Sequence, residues 1–138
     1  MYNTILLTLD VSAADRPIIE HIKQLASLMH SRVILLHIAT GPAAQFHGEN
    51  AGGKEIDESR TYLAQVKAEF EAAQIPVAAE LGYGEPVREI LKWAGDNACD
   101  LVAMGTHGHK MVADLVLGST AIRVQHNISV PVLLLRAR

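Results

Sequence analysis

The stretch Ile5-Leu6-Leu7-Thr8-Leu9-Asp10 indicates how this chain folds. A short, almost continuous apolar run that stops at an aspartate is typical of a strand buried on both faces of a parallel sheet. Val33–Ile38, Leu101–Met104 and Val130–Leu135 have the same pattern. Strands of this kind need helices on both sides of the sheet, because a solvated face would show polar residues at alternate positions.

Amphipathic helices are predicted between these strands. Apolar residues recur at helical spacing in each connection, so each helix has one face for the sheet. Asp15 and Pro17 suit the first turn of the first helix as cap and N-terminal proline, and Pro86 suits the start of the third. The second helix is predicted over roughly 54–73, after a long loop over 41–53. The predicted inward residues are Ile18, Ile22, Leu25, Ala26, Met29, Leu63, Val66, Phe70, Ala73, Val87, Ile90, Leu91, Ala94, Ala98, Ala121, Val124 and Ile128.

The third strand has a different pattern. Val77, Ala79 and Leu81 share one face and Glu80 lies on the other, which predicts an edge strand. The elements then follow the order β-α-β-α-β-α-β-α-β. This alternation predicts an α/β fold, a five-stranded parallel sheet with helices on both faces.

Sheets of this class bind ligands beyond the carboxyl ends of the strands, at the point where the strand order reverses. In the order 3-2-1-4-5 that point lies between strands one and four. Asp10 is predicted to close strand one, and Gly105 is predicted to close strand four. A ligand crevice is therefore expected between these two residues.

The bulk composition narrows the function classes. The 138 residues suit one domain over 1–138, with 49% hydrophobic but only 4% aromatic residues. The net charge is −3 and no Lys/Arg run is long enough to neutralise a row of phosphates, so nucleic acid is not expected as a partner. No apolar run reaches the ~18–20 residues of a membrane span. The single Cys99 is expected to be a buried small apolar residue, and a cytoplasmic location is expected.

Two glycine-containing stretches flank the predicted crevice. Gly105-Thr106-His107-Gly108 follows the fourth strand, and Gly118-Ser119-Thr120 begins the last predicted helix. Glycines let the backbone approach a ligand, and free amides at a helix N-terminus attract an anion. The pattern favours a phosphate site. It also suits an ordinary strand–loop–helix connection with a serine cap, and the residues alone leave both interpretations open.

The spacing Gly-x2-Gly-x9-Gly-Ser, formed by Gly105, Gly108, Gly118 and Ser119, resembles the nucleotide-binding signature of the universal stress protein family. The likeness extends over the whole chain. The strands that match the family are 5–10, 33–38 and the closing Val130-Pro131-Val132-Leu133-Leu134.

This resemblance implies a three-layer flavodoxin-like, Rossmann-like fold and a homodimer joined through strand 130–135. It implies a bound ATP, ADP or AMP, with or without Mg²⁺, and a regulatory role in stress response through an unnamed downstream protein. Asp10 would bond the ribose hydroxyls. The residues implied to contact base and ribose are Thr8, Leu9, Ile38, Met104 and Gly105. Those implied to hold phosphates are Gly108, Gly118, Ser119 and Thr120, with His107 beside them.

The sequence departs from the family pattern at positions expected to lie near the phosphates of the ligand. Many nucleotide-binding members have Arg or Lys directly after the second glycine, where this chain has His109 before Lys110, and Asp114 stands at another often basic position. The phosphate site is therefore expected to be less positive than usual, which makes AMP or ADP an alternative to ATP.

Enzymatic function is the rival hypothesis. A slow ATP hydrolase or phosphotransferase would need a base, and His107 near a phosphate is a weak candidate. The P-loop pattern is missing, and His107 with His109 lacks an obvious third metal ligand, so neither a P-loop nor a metal site is expected. A dimerisation module without nucleotide is the third hypothesis.

Gly118→Val tests the glycine signature. A side chain there is expected to occupy the space of the phosphates, so the variant should fold but not bind nucleotide. ATP, ADP or AMP at a hundred times its dissociation constant should stabilise the unchanged chain by about 2.7 kcal/mol, a melting shift of roughly ten degrees. Thermal melts should show that shift for the unchanged chain and almost none for the variant. An equal shift in both would exclude this glycine from the phosphate site.

Overall fold

The computed structural model describes residues 1–39, 53–107 and 120–137. Five strands alternate with helices. The strands are β1 (Thr4–Thr8), β2 (Arg32–Ala39), β3 (Val77–Tyr83), β4 (Leu101–His107) and β5 (Val132–Ala137). The helices are α1 (Arg16–Met29), α2 (Lys54–Ala72), α3 (Pro86–Asp96) and α4, described over 120–127, and a 3₁₀ turn (Ala13–Asp15) precedes α1.

The strands form one parallel sheet in the order β3-β2-β1-β4-β5. The α/β fold class and the strand order predicted from the sequence are confirmed. β1 lies between β2 and β4, and Thr8 is opposite Leu36 on one side and Met104 on the other. The strand order reverses beside β1, so the carboxyl ends of β1 and β4 face the expected crevice.

Alternate residues of the central strands enter two cores, one on each face of the sheet. Ile5 and Leu7 pack with α1 and α2, whereas Leu6 packs with α3 and α4, and all three side chains are fully buried. Burying a side chain of this size stabilises the fold by ~1.5–3 kcal/mol. The apolar run of β1 is therefore explained by helices that cover both faces.

Two predicted strand bounds are wrong. β4 does not close at Gly105 but continues to His107, because β5 provides partners for Gly105 at Leu135 and for His107 at Ala137. β5 spans Val132–Ala137 instead of 130–135. The proline at 131 cannot donate to a ladder, and its carbonyl instead accepts from the Val102 amide just before the strand begins.

Three predictions about helix faces are also wrong. Ala73 and Ala98 were predicted to face inward, but both are exposed because they lie beyond the ends of α2 and α3. Ala98 has a φ of 50°, which stops the helical repeat before it. Ile56 and Ser59 are buried, so the inward face of α2 starts about two turns earlier than the pattern from Leu63 predicts.

Cys99 lies in the core on the α3 side of the sheet and is 5% exposed. Burial raises the pKa of its thiol to about 11. Because the thiolate is the reactive form, this cysteine is inert at neutral pH. The prediction of a buried apolar residue is confirmed. Within the described ranges, no helix has the length and apolar character needed to cross a membrane.

Asp100 joins the start of β1 to the start of β4. Its carboxylate accepts from the backbone amides of Asn3 (2.9 Å) and Thr4 (3.0 Å), and its own amide donates to the Thr4 carbonyl at 3.0 Å. Desolvation raises the pKa of Asp100, but the hydrogen bonds from backbone amides, together with the positive charge of the N-terminus, outweigh it, and the pKa lies below its usual value. These bonds set the register in which Ile5 faces Leu101.

Asp100→Ala is expected to lower the free energy of unfolding by about 1–2 kcal/mol at pH 7, since two backbone donors lose their partner. A lowered pKa means that this stabilisation is present above the unfolded-state pKa and is lost as pH falls through the folded-state pKa. Urea unfolding should therefore show a larger difference between the variant and the unchanged chain at pH 7 than at pH 2.5. Asp96→Ala, at an exposed end of α3, is the control and should change stability by less than about 0.5 kcal/mol. An equal loss at both pH values would contradict this role.

Candidate functional site

A pocket of about 270 Å³ opens at the carboxyl ends of β1, β2 and β4. It lies on the side of the sheet covered by α3 and α4. Ten described residues line it: Thr8, Leu9, Asp10, Leu36, His37, Ile38, Pro86, Ile90, Met104 and Thr120. This is the point where the strand order reverses, so the crevice predicted from the topology is present.

The floor of the pocket is the end of β1, which is bonded to both neighbouring strands. The Thr8 hydroxyl donates to the Ala103 carbonyl at 3.4 Å, and the Leu9 amide donates to the Leu36 carbonyl at 2.8 Å. These bonds continue the sheet past the last residue of β1. The backbone that enters the turn at Asp10 is therefore held in place by the sheet.

His37 adds a side-chain bond to this floor. Its Nδ1 lies 2.7 Å from the Leu9 carbonyl oxygen. Because a carbonyl only accepts, Nδ1 must carry a proton in this contact. His37 is thus a histidine with a satisfied ring nitrogen at the edge of the crevice.

Apolar side chains form the pocket walls. Ile90 on α3 and Met104 on β4 are 3% and 5% exposed, and Ile38 extends from the end of β2. Gly82 leaves room for Ile38: a Cβ at Gly82 would stand 2.7 Å from Ile38 Cδ1. Gly82 in β3 therefore serves packing beside the wall. Apolar surroundings of this kind suit the faces of an aromatic ring system.

The amino end of α3 is already capped. The Glu85 carboxylate accepts from the amides of Arg88 (2.8 Å) and Val87 (3.3 Å), and these bonds lower the pKa of Glu85 below its usual value. An occupied helix N-terminus offers no free amides to an anion. The α3 side of the pocket is therefore a wall and not a phosphate site.

A tight turn follows the pocket floor and carries Asp10. The amides of Asp10 and Val11 donate to the Asp15 carboxylate at 2.9 Å each, and the Ser12 amide donates at 3.3 Å. Asp15 had been predicted as the cap of α1, but its side chain makes no capping bond to that helix and instead holds the turn. The reason is geometric: three consecutive amides of the turn converge on the carboxylate.

The charges around the pocket are unevenly distributed. Among the described lining residues, Asp10 is the one carboxylate and there is no Lys or Arg. A carboxylate accepts hydrogen bonds from hydroxyl groups but repels phosphate. The described walls therefore favour the uncharged part of a ligand, an aromatic ring and a hydroxylated sugar.

Several residues predicted from the sequence come together here, namely Thr8, Leu9, Asp10, Ile38, Met104 and Thr120. Gly105 points away from the pocket: a Cβ on it would stand 3.5 Å from Ile18 Cγ2 on α1. The backbone of His107 forms the end of β4. Gly108, Gly118 and Ser119, predicted to hold phosphates, lie outside the described residues.

Sequence reasoning missed several residues of this region. Leu36, Pro86 and Ile90 line the pocket but were assigned only to strand, helix start and core. The predicted strand order was a usable signal, because it places the end of β2 and the start of α3 beside the end of β1. Among the described residues, no group of three His, Cys, Asp or Glu side chains is placed to hold a metal ion.

Known proteins resemble the chain over its full length. The model of the "Universal stress protein family" matches residues 1–136. A universal stress protein of Thermus aquaticus is 32% identical over 138 residues, with 99% of this chain and 100% of that protein covered. The solved structure of MJ0577, a universal stress protein of Methanocaldococcus jannaschii, superposes with a TM-score of 0.83 at 28% identity, covering 100% and 98% of the two chains.

More distant solved structures share the fold. A universal stress protein in complex with cAMP has a TM-score of 0.77 at 19% identity, with 99% of both chains covered. One from Archaeoglobus fulgidus in complex with dAMP has a TM-score of 0.70 at 18% identity, covering 96% and 97%. The family match over 1–136, together with the Thermus relative, shows that this chain belongs to the universal stress protein family.

Proposed function

We propose that this protein binds an adenine nucleotide, AMP, ADP or ATP, in the pocket at the end of β1, and that it acts as a regulatory dimer in stress response. The observation that carries the proposal is the pairing of apolar walls with a single carboxylate among the described lining residues. Ile38, Ile90 and Met104 provide surfaces for the base, and Asp10 provides an acceptor for ribose hydroxyls.

The pocket volume indicates that the described walls hold only part of the nucleotide. About 270 Å³ lies just below the ~300–1,000 Å³ typical of small-molecule sites. The described walls then take the base and ribose. The phosphates then extend beyond the described walls, on the side of Thr120, which follows Gly118 and Ser119 in the sequence.

Relatives support the class of ligand. Two universal stress proteins with the same fold were solved in complex with cAMP and with dAMP, both of which carry adenine and a single phosphate. The missing basic residue after the second glycine is compatible with a ligand of few phosphates. We therefore propose AMP and ADP beside ATP as ligands of this chain.

Asp10→Ala tests the site. Loss of a charged acceptor for hydroxyl groups is expected to weaken binding of AMP, ADP and ATP about tenfold to a hundredfold. Isothermal titration calorimetry measures the three affinities, and acid extraction with mass spectrometry identifies any nucleotide that copurifies. Asp57→Ala, an exposed carboxylate near the start of α2, is the matched control and should bind as the unchanged chain does. Unaltered affinities in the Asp10 variant would place the nucleotide elsewhere.

The outer edge of β5, which pairs with no other strand of the described sheet, is our candidate for the dimer interface. β5 is the last strand of the sheet beyond β4, and Leu134 on it is 42% exposed. Ile122 on the neighbouring α4 is also exposed. An apolar edge strand pairs readily with another strand, and a second copy of the chain would cover it by two-fold symmetry.

Leu134→Glu is expected to give a folded monomer, because a buried charge at the centre of a symmetric interface is repeated on both copies. Sedimentation velocity at micromolar concentration should show a dimer for the unchanged chain and a monomer for the variant. Leu28→Glu, at a 77% exposed position on α1, should stay dimeric. An unchanged chain that sediments as a monomer would remove the dimer from this proposal.

A further inference from the structure

Asp15 is a buried acid that lies behind the turn carrying Asp10. Its side chain is 3% exposed and accepts from the amides of Asp10, Val11 and Ser12. A fourth donor, the Tyr62 hydroxyl, reaches it from α2 at 2.7 Å. Asp15 itself does not line the pocket, but every one of its backbone partners belongs to the turn that carries Asp10.

That turn has an unfavourable backbone conformation. Val11 has a φ of 63°, in the left-handed region that a β-branched residue rarely adopts. Such a conformation persists only where surrounding contacts hold it in place. The Asp15 carboxylate provides the contact, since its Oδ2 accepts directly from the Val11 amide at 2.9 Å. A relaxed Val11 would rotate the preceding peptide and with it the Asp10 side chain.

Tyr62 orients the carboxylate that holds the turn. Its hydroxyl donates to the same Oδ2 that accepts from Val11 and lies 3.4 Å from the Ser12 carbonyl. Burial and the neighbouring Asp15 both raise the pKa of Tyr62 above its usual value, so the hydroxyl keeps its proton and remains a donor. The residue is 47 positions away in sequence, on the helix that packs beside α1.

Other contacts hold α1 and α2 together without Tyr62. Arg16 bonds both oxygens of Glu69, at 2.6 and 3.0 Å, and Lys23 lies 3.3 Å from the same carboxylate. Leu63 and Val66 on α2 are buried in the shared core. Removal of the Tyr62 hydroxyl is therefore expected to leave the helices in place and to act on Asp15 and the turn.

We propose that Asp15 and Tyr62 are positioning residues that hold the strained Val11 turn so that Asp10 faces the ribose hydroxyls of the bound nucleotide. The inference rests on the proposed nucleotide site. In it, the turn held by Asp15 and Tyr62 makes that site selective for a ribose. In this arrangement Asp10 is the binding group. Asp15 fixes the backbone conformation around Asp10, and Tyr62 fixes the orientation of the Asp15 carboxylate.

The test compares Tyr62→Phe with the unchanged chain, using two ligands that differ only at the sugar. ATP offers both ribose hydroxyls, whereas 2′,3′-dideoxy-ATP has the same base and phosphates but no hydroxyl for Asp10. Titration calorimetry should show ATP binding weakened about fivefold by Tyr62→Phe, as for one lost hydrogen bond. Binding of the dideoxy ligand should stay within about twofold.

Two controls separate positioning from general damage. Tyr83→Phe removes a hydroxyl that is bonded to Arg60 at the end of β3, and it should leave both affinities unchanged. In an Asp10→Ala background, Tyr62→Phe should have no further effect on ATP, because the group that it positions is gone. Amide hydrogen exchange without ligand should be faster at Val11 in Tyr62→Phe and unchanged in the core strands.

The outcomes distinguish the inference from the proposed function. An unchanged chain that binds neither ligand overturns the nucleotide site and the inference with it. Where the unchanged chain binds ATP, equal weakening of both ligands by Tyr62→Phe, or no weakening of either, overturns the positioning role alone. Unaltered exchange at Val11 also overturns it. Selective loss of ATP binding with faster exchange at Val11 supports it.

Discussion

The central strand β1 is hydrogen-bonded to β2 along one edge and to β4 along the other, while helices cover its side chains on both faces. Because every direction around it is occupied, β1 cannot shift without breaking both ladders and both cores. The pocket and the turn that carries Asp10 both lie at its carboxyl end. Its position is the constraint on which the site depends.

Two carboxylates act at opposite ends of this strand. Asp100 accepts from the amides of Asn3 and Thr4 where β1 begins, and Asp15 accepts from three amides of the turn that follows it. In each case a side chain satisfies backbone donors that no strand partner reaches. The first bond set fixes the register of the sheet, and the second fixes the conformation of the turn. Both are needed because a parallel strand leaves unpaired amides at its ends.

The pocket chemistry follows from the same arrangement. Alternation along the strands sends Thr8, Leu36 and Met104 to the α3 side, where Ile90 closes the wall. The only acidic lining residue among those described lies on the turn, at the point where the sheet gives way to polar surroundings. Apolar walls and one acceptor therefore follow from strand geometry, and they match the base and ribose of the proposed ligand.

The sequence by itself determined the fold class, because doubly buried strands and amphipathic helices have periodic patterns that a single chain displays. In the expected strand order these patterns place Asp10 at a crevice, whereas Thr8, Ile38 and Met104 were assigned to it by the resemblance to the universal stress protein family. What the sequence could not show is the partner of each side chain. Asp15 fits a helix cap by local pattern, and only the tertiary structure reveals that it holds the turn with Tyr62.

Strand ends were likewise decided by the tertiary structure. β4 continues past Gly105 because β5 is long enough to pair with it, and Ala98 leaves the core because its φ of 50° ends the helical repeat. The periodicity of apolar residues shows which face of a helix or strand is buried, and it depends only on residues that are close in the sequence. Hydrogen bonds between distant elements depend on the direction of each side chain in space, and that direction exists only once the chain has folded.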